Sequence, residues 1–255
     1  MIDIIPKKSL GQNFLKDKNI IKKIVSNVRT DDYVLEVGPG TGQITKEILK
    51  KTKNLVAIEI DKELSMFLEK KYSITVYTED ILKFNLGSFL EQFHTKKYVV
   101  IGSLPYYISK NIISKFLKTE PRPTGMMFIV QKEVADRYLY EGNLLHNTLK
   151  IYANEIKSLG LVQKTKFYPI PKVESKIIHI YNLKKITKDS SKFEAFLKKA
   201  YMFPRKILKN NKNIESFEYS SKRPEELSYT DWQSLFFKNK NYINSSLIKS
   251  KTVHI

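Results

Sequence analysis

The feature that most constrains this chain is a run in which glycine alternates with turn-forming residues, Gly38-Pro39-Gly40-Thr41-Gly42, set directly behind the apolar stretch Tyr33-Val34-Leu35-Glu36-Val37. A short, mostly apolar run bounded by turn residues predicts a strand buried on both faces. After the glycines, Ile44, Ile48 and Leu49 recur at helical spacing, and residues 55–60 predict a second strand. Strand, glycine turn, helix and strand make a βαβ unit, the building block of a parallel sheet. Its turn lies at the carboxyl edge, where small residues let a ligand approach the backbone. The spacing is GxGxG. A dinucleotide pyrophosphate cradle needs a third glycine at position 43, where this chain has Gln43, which argues against a nicotinamide cofactor.

The alternation continues, with a helix predicted over 62–70, strands over 74–77 and 98–101, a helix over 111–117 and a strand over 126–130. This pattern predicts an α/β fold with a mostly parallel sheet covered on both faces. Helices over 133–140 and 144–156 follow. Two β-rich stretches, 158–163 and 176–181, are separated by Pro169 and Pro171 and read as closing, hairpin-related strands. Upstream, Ile20, Ile21, Ile24, Val25 and Val28 predict a helix capped by Asp17, preceded by a basic, loop-like arm. Beyond residue 182 the pattern becomes helical. Phe193, Phe196, Leu197 and Ala200 form one stripe, with further helical segments expected after Pro204, Pro224 and Thr230. The expected organisation is an α/β domain over 1–183 and a small all-helical domain over 184–255.

A formal net charge of +19 concentrates polyanions near the surface and makes their binding salt-dependent. Lysine abundance throughout the chain supplies most of that charge, so part of it is compositional. Lys198, Arg205, Lys209 and Lys212 share a helical spacing that suits either phosphate contacts or a solvated face, although Pro204 interrupts it. No cysteine is present, which excludes disulfides and thiolate metal sites, and the four histidines form no HxxxH pair; no metal is expected. The amino terminus lacks an apolar signal segment and no apolar run approaches a bilayer's thickness, so a cytoplasmic protein without membrane contact is expected.

Three carboxylates fall at successive strand ends. Glu59 is placed to accept bonds from ribose hydroxyls, Asp80 to accept from an adenine amino group, and Glu36 either to anchor the glycine loop or to reach the cofactor's amino-acid part. Behind the fourth strand comes Gly102-Ser103-Leu104-Pro105-Tyr106-Tyr107. Pro105 fixes its own φ and holds Leu104 extended, which directs the Leu104 carbonyl. An adenine amino nitrogen is a poor nucleophile because its lone pair is delocalised into the ring. Acceptors near its two hydrogens, here Ser103 Oγ and the Leu104 carbonyl, favour rehybridisation and aim the lone pair. Tyr106 would stack on a base held out of its neighbours' stack.

Together these residues resemble the ribosomal RNA adenine dimethyltransferases of the bacterial small-subunit type, along nearly the whole chain. The resemblance runs through Lys8-Ser9-Leu10-Gly11-Gln12-Asn13-Phe14-Leu15, the Glu36–Gly42 run, Glu59, Asp80 and Ser103 to Tyr106. It continues through Gln131 to Arg137, Pro171 to Lys176, Arg205-Lys206 and Arg223 to Ser228. It implies a Rossmann-like methyltransferase fold that uses S-adenosylmethionine. By the same resemblance Asn13, Leu15, Glu36, Gly38, Gly40, Glu59, Asp80 and Ser103 are cofactor-binding positions, and Ser103, Leu104, Pro105 and Tyr106 form the catalytic loop. The implied substrate is two adjacent adenosines near the 3′ end of 16S ribosomal RNA, met in an assembling small subunit by a monomeric enzyme. Serine at 103 departs from the family's usual asparagine and offers one hydroxyl in place of an amide. Two rival readings share these features: a large-subunit (23S) methyltransferase of the macrolide-resistance type, and an assembly factor with weakened chemistry. A DNA adenine methyltransferase fits less well, because little chain remains for a target-recognition domain.

Overall fold

A computed structural model describes residues 5–92, 97–211 and 218–239. Each apolar run of the first half becomes a strand. In chain order the elements begin with β1 (Phe14–Leu15), α1 (Lys18–Ile24), β2 (Tyr33–Val37), α2 (Gln43–Ile48), β3 (Leu55–Glu59), α3 (Lys62–Tyr72) and β4 (Thr75–Thr78). There follow α4 (Leu86–Gln92), β5 (Tyr98–Ser103), α5 (Ser109–Lys118), β6 (Gly125–Gln131), α6 (Lys132–Leu139), α7 (Leu144–Tyr152) and β7 (Ala153–Val162). The last are β8 (Phe167–Tyr168), β9 (Ser175–Leu183), α8 (Lys188–Ala200) and α9 (Tyr229–Lys238).

Seven strands form one sheet in the order β4-β3-β2-β5-β6-β9-β7. The pairs β3–β4, β2–β3, β2–β5 and β5–β6 are parallel, and β9 joins β6 antiparallel. The chain reverses direction across the sheet at β2, between β3 and β5, which places a crevice at the carboxyl ends of these strands. On one face α1 and α2 lay Ile21, Ile24, Val25, Ile44 and Ile48 against Val34, Val99, Ile101, Met127 and Ile177. Asp17 starts α1 by accepting the Asn19 and Ile20 N–H groups at 3.0 and 3.1 Å, as an N-cap should.

Three features differ from the sequence reading. The arm is not wholly loop, since β1 pairs antiparallel with β8 (Phe14↔Tyr168, Leu15↔Phe167). The helix expected over 144–156 stops at Tyr152, because β7 pairs beside β9 from Ala153 onward and sheet hydrogen bonding outweighs helical periodicity. Between Pro204 and Asn211 the chain forms only a single 3₁₀ turn, Leu208–Asn210, so Lys198 on α8 and Arg205 and Lys209 beyond it do not share one helix; Lys212 lies outside the described residues.

The chain divides into two compact units, Met1–Asp136 with Glu155–Leu183, and Arg137–Asn154 with Lys184–Ile255. The second is helical and discontinuous in sequence, taking α7 from within the 1–183 span. Two bonds explain the grouping: Tyr152 Oη donates to Glu194 Oε2 at 2.8 Å, and Asn147 Nδ2 donates to Tyr201 Oη at 2.9 Å. Phe193 stacks on Phe236 at 4.8 Å, and Phe196 meets the fully buried Trp232 edge-on at 6.0 Å. The helix α9 opens with a capping box in which Ser228 and Asp231 bond reciprocally.

One buried acid ties the first strand to the first helix of the βαβ unit. Glu36 is fully buried; its Oε2 accepts the Thr45 hydroxyl at 2.7 Å, and its Oε1 has no partner among the described residues. Burial pushes its pKa from 4.5 up to about 8, against the Thr45 hydrogen bond and with a further push from the Glu59 carboxylate. The folded state therefore holds this proton more tightly than the unfolded chain does. The stability it contributes is complete below about pH 4.5 and is lost as pH rises through about 8. Replacing Glu36 by Gln, which cannot ionise, should flatten the decline in melting temperature between about pH 6 and about pH 9 relative to the parent protein. Calorimetric melts at both pH values check this, and an unchanged decline would show that Glu36 is not the group concerned.

Candidate active site at the carboxyl edge of the sheet

The crevice at the β2 reversal is a cavity walled by the turn after β2, the ends of β3 and β5, the loop after β4 and the amino-terminal arm. Its floor depends on glycine geometry. Gly38 has φ +65°, and a side chain built there would meet only the Ser103 carbonyl, at 3.9 Å, so the turn presents bare backbone to the cavity. Gly42, by contrast, is packed shut: a Cβ would sit 2.4 Å from Tyr72 Cε2, and Tyr72 Oη donates to the Gly42 carbonyl at 3.0 Å. Openness at one glycine and closure at the other fix the loop while leaving its approach free.

Glu59 ends β3 almost wholly buried yet lines the cavity. Its Oε2 accepts the Gly40 N–H at 3.1 Å and its Oε1 accepts the Asp61 N–H at 3.0 Å. Burial raises its pKa, and these backbone donors oppose the rise. The carboxylate is thus held rigidly, with lone pairs left over for hydroxyl donors. Asp80 also lines the cavity. Its Oδ1 accepts the Leu82 N–H at 2.9 Å, and its carbonyl accepts from Lys83 and Phe84 at 2.9 and 3.0 Å, which rolls the chain into a tight turn. Glu36 is brought to the same strand end but does not line the cavity. Of the two roles left open for it, the geometry corresponds to anchoring the loop through Thr45.

Ser103 ends β5 half-buried in the cavity wall, opposite the Gly38 turn. Among the described residues its hydroxyl has no hydrogen-bond partner, so both lone pairs are available. Leu104 is buried and its N–H donates to the Ile129 carbonyl at 3.1 Å, which pins the loop to β6. The Pro105 carbonyl accepts from Ile108 at 3.3 Å, and the Tyr106 carbonyl accepts from the Ser109 hydroxyl at 3.2 Å, so the loop runs directly into α5. Tyr106 lines the cavity, and its phenol is hydrogen-bonded to the buried Ser175 hydroxyl at 2.7 Å. Burial raises the phenol's pKa, so it stays neutral. Tyr107 is exposed and lies over Gly11, where an added Cβ would come within 3.3 Å of its ring.

The arm closes the cavity from the far side. Asn13 and Leu15 both line it; Asn13 Nδ2 donates to the Gly11 carbonyl at 3.0 Å, and Leu15 is buried in the β1–β8 pair. Asp61 clasps the arm, accepting from Lys7 Nζ and Gln12 Nε2, each at 2.9 Å, and these partners lower its pKa against the opposing effect of burial. Phe167, which the sequence reading passed over, completes the wall from β8. Nothing in its neighbourhood announces this, because the contact depends on a pairing with residues at the other end of the domain. All eleven candidate residues lie in the first unit; ten line this one cavity, and Glu36 stands behind it.

The donor set suits a nucleoside. The rigid Glu59 carboxylate and Asp80 line the cavity together with the apolar Ile60 and Ile81, and the bare Gly38 turn admits a close approach. No lysine, arginine, histidine or cysteine lines the cavity among the described residues, so the site is built for positioning more than for proton transfer by a side chain. Nor do the described residues hold any cluster of acids and histidines arranged to bind a metal ion.

Comparison with known proteins identifies the family and the fold. Residues 6–226 match the family model described as ribosomal RNA adenine dimethylase. The ribosomal RNA small subunit methyltransferase A of Mycoplasma mobile is 40% identical over 223 residues, covering 83% of this chain and 85% of the relative. Its counterpart from a Hydrogenobaculum species is 36% identical, covering 94% and 98%. Two solved structures share the fold: a dimethyladenosine transferase from Plasmodium falciparum (TM-score 0.74, 23% identity, 89% and 98% covered) and the 23S rRNA methyltransferase ErmE (TM-score 0.72, 21% identity, 88% and 98% covered). The fold is therefore the Rossmann-like methyltransferase fold, with a helical addition at its carboxyl end. On the family match and the shared length, this chain is a member of the ribosomal RNA adenine dimethylase family.

Proposed function

We propose that this chain dimethylates the exocyclic amino groups of two adjacent adenosines near the 3′ end of 16S ribosomal RNA, using S-adenosylmethionine, in the cytoplasm and as a monomer acting on the assembling small subunit. The observation that carries the reading is the meeting of the open Gly38 turn and the unpartnered Ser103 hydroxyl in one cavity whose wall also holds Tyr106. Glu59 would accept from the cofactor's ribose, Asp80 from its adenine amino group, and the backbone at Gly38 and Gly40, with Asn13 and Leu15 of the arm, would enclose the remainder. Bound there, S-adenosylmethionine supplies a methyl group already activated by a sulfonium, so no metal or covalent enzyme intermediate is required.

The protein's part is orientation. Ser103 Oγ and the Leu104 carbonyl accept the two hydrogens of the target amino group, which draws the nitrogen toward tetrahedral geometry and exposes its lone pair. Leu104 can do this reproducibly because its own N–H is fixed to Ile129 and Pro105 restrains the peptide that follows. Tyr106 stacks on the extruded base, with its ring angle held by the bond to Ser175. A second methylation needs the same pocket to accept a monomethylated amine, which brings one hydrogen instead of two. The serine hydroxyl is shorter than an asparagine amide and reaches less far toward that remaining hydrogen.

Relatives named for small-subunit methylation at 34–41% identity favour this substrate over large-subunit RNA, although the 23S enzyme shares the fold. Labelled methyl transfer from S-adenosylmethionine to unmethylated small-subunit particles should yield dimethyladenosine, with little incorporation into large-subunit RNA. The reverse preference would make this a 23S enzyme, and tight particle binding without incorporation would make it an assembly factor. Tyr106→Ala should cut transfer by about a hundredfold with cofactor affinity retained, because stacking is worth roughly 1–3 kcal/mol per base and orientation is lost as well. Unchanged turnover would refute the stacking role. Ser103→Asn, which installs the family's usual residue and its longer amide acceptor, should leave the first methylation within about tenfold and speed the second. Product ratios read by mass spectrometry would settle this, an unchanged mono-to-dimethyl ratio counting against it.

A further inference from the structure

Asp80 does not hold its own position. It starts a turn whose return leg, Leu82 to Phe84, is bound from outside by the side chain of Lys115 on α5. Lys115 Nζ donates to the Leu82 carbonyl at 3.1 Å and to the Phe84 carbonyl at 2.8 Å. The same two residues are bonded from inside to Asp80, Leu82 N–H to its carboxylate and Phe84 N–H to its carbonyl. Lys115 therefore grips the residues that grip Asp80. The Phe84 ring, buried beside Tyr77 at 5.0 Å, fixes the far end of the turn.

The other end of this strut is the helix that follows the catalytic loop. Ile108 and Ile112 of that segment line the cavity, and Lys115 lies one turn beyond Ile112, on the same side of α5. Helix α5 begins where the Ser103 to Tyr107 loop ends, tied to it by the Ser109 hydroxyl. A half-buried ammonium is an expensive way to join two elements, and burial indeed draws the Lys115 pKa below its ordinary value in spite of the nearby Glu79 and Asp80 carboxylates. Removing it would leave two carbonyl groups, in a partly buried turn, without their donor.

We propose that Lys115 is a positioning residue that couples the catalytic-loop helix to the Asp80 turn and so sets how strictly the cavity selects an adenine amino group. The inference rests on the reading of Asp80 as the acceptor for that group. Selection by a charged acceptor depends on geometry held within about 0.5 Å, so a turn freed from its strut keeps the carboxylate but loses its aim. The effect differs from general loosening, since it falls on ligands that carry the amino group and spares those that lack it.

The test is calorimetric titration of the full-length protein with two probes, S-adenosylhomocysteine and its analogue in which hydrogen replaces the 6-amino group. The parent protein should prefer the first by about ten- to a hundredfold, the range of a charge-assisted hydrogen bond. Lys115→Met should bring that preference to within about threefold while changing affinity for the deamino probe little, and Lys115→Arg, which keeps donors at similar reach, should restore most of it. Lys115→Gln, read the same way, serves where the methionine variant does not fold. A preference kept in full by Lys115→Met or Lys115→Gln overturns the proposal and leaves the Asp80 reading intact. Absence of any preference in the parent protein, matched by Asp80→Asn, overturns both.

Discussion

In the sheet, β2 is hydrogen-bonded on both sides to parallel strands, and the register brings Val37 opposite Ile58 of β3 and Gly102 of β5. Everything at the site follows from that alignment. Parallel strands end level with one another, so their carboxyl-terminal residues Glu59, Gly38 and Ser103 arrive along one line. The register is enforced sterically as well as by hydrogen bonds. A Cβ on Gly102 would lie 2.5 Å from the Val37 carbonyl, so only a bare backbone lets β5 run this close to β2. The Gly38 N–H, donating to the Ile58 carbonyl at 2.9 Å, extends the pairing one residue into the turn. A shift of a single residue would turn every side chain to the other face of the sheet and carry Glu59 away from Gly40.

The remaining walls are fixed by bonds between segments far apart in sequence. Asp61 holds the arm through Lys7 and Gln12, and β1 pairs with β8 to bring Phe167 alongside. Ser175, at the start of β9, holds Tyr106, and Lys115 holds the Asp80 turn. The arm, Tyr106 and the Asp80 turn are thus each held from another element. This is what orientation-based catalysis demands, because misplacement by an ångström costs more than the loss of a weak contact.

The parts legible from the amino-acid order are those governed by local rules. The strands announced themselves as apolar runs, the glycine turn by its spacing, and Glu59, Asp80 and Ser103 by standing at strand ends. The parts that were not legible depend on tertiary partners. Nothing local to Ala153 says that a helical pattern must yield to a strand; the neighbouring β9 decides it. Phe14 and Leu15 look like loop until Phe167 and Tyr168 are placed beside them. Lys115 is one lysine among many on an amphipathic helix, and only the folded turn distinguishes it from its solvated neighbours. Glu36 illustrates the intermediate case: its strand position was readable, whereas the choice between loop anchor and cofactor contact required the Thr45 bond to be seen.

The distribution of charge gives the architecture its last constraint. The chain as a whole carries +19, whereas the cavity is lined by Glu59, Glu79 and Asp80 and by no cationic side chain among the described residues. At separations beyond about 8–10 Å in physiological salt, pairwise effects are screened and the net positive surface governs encounter, drawing a polyanion toward the protein. Within a few ångströms the acids dominate. They disfavour a phosphate entering the cavity and favour a ligand that brings positive charge or hydrogen-bond donors. For the proposed reaction this separation is useful on both counts: the RNA backbone is kept at the mouth while a neutral base passes inward, and the cationic methyl donor is held in the region whose local potential suits it. A cavity lined with lysine would bind RNA more tightly and place it worse.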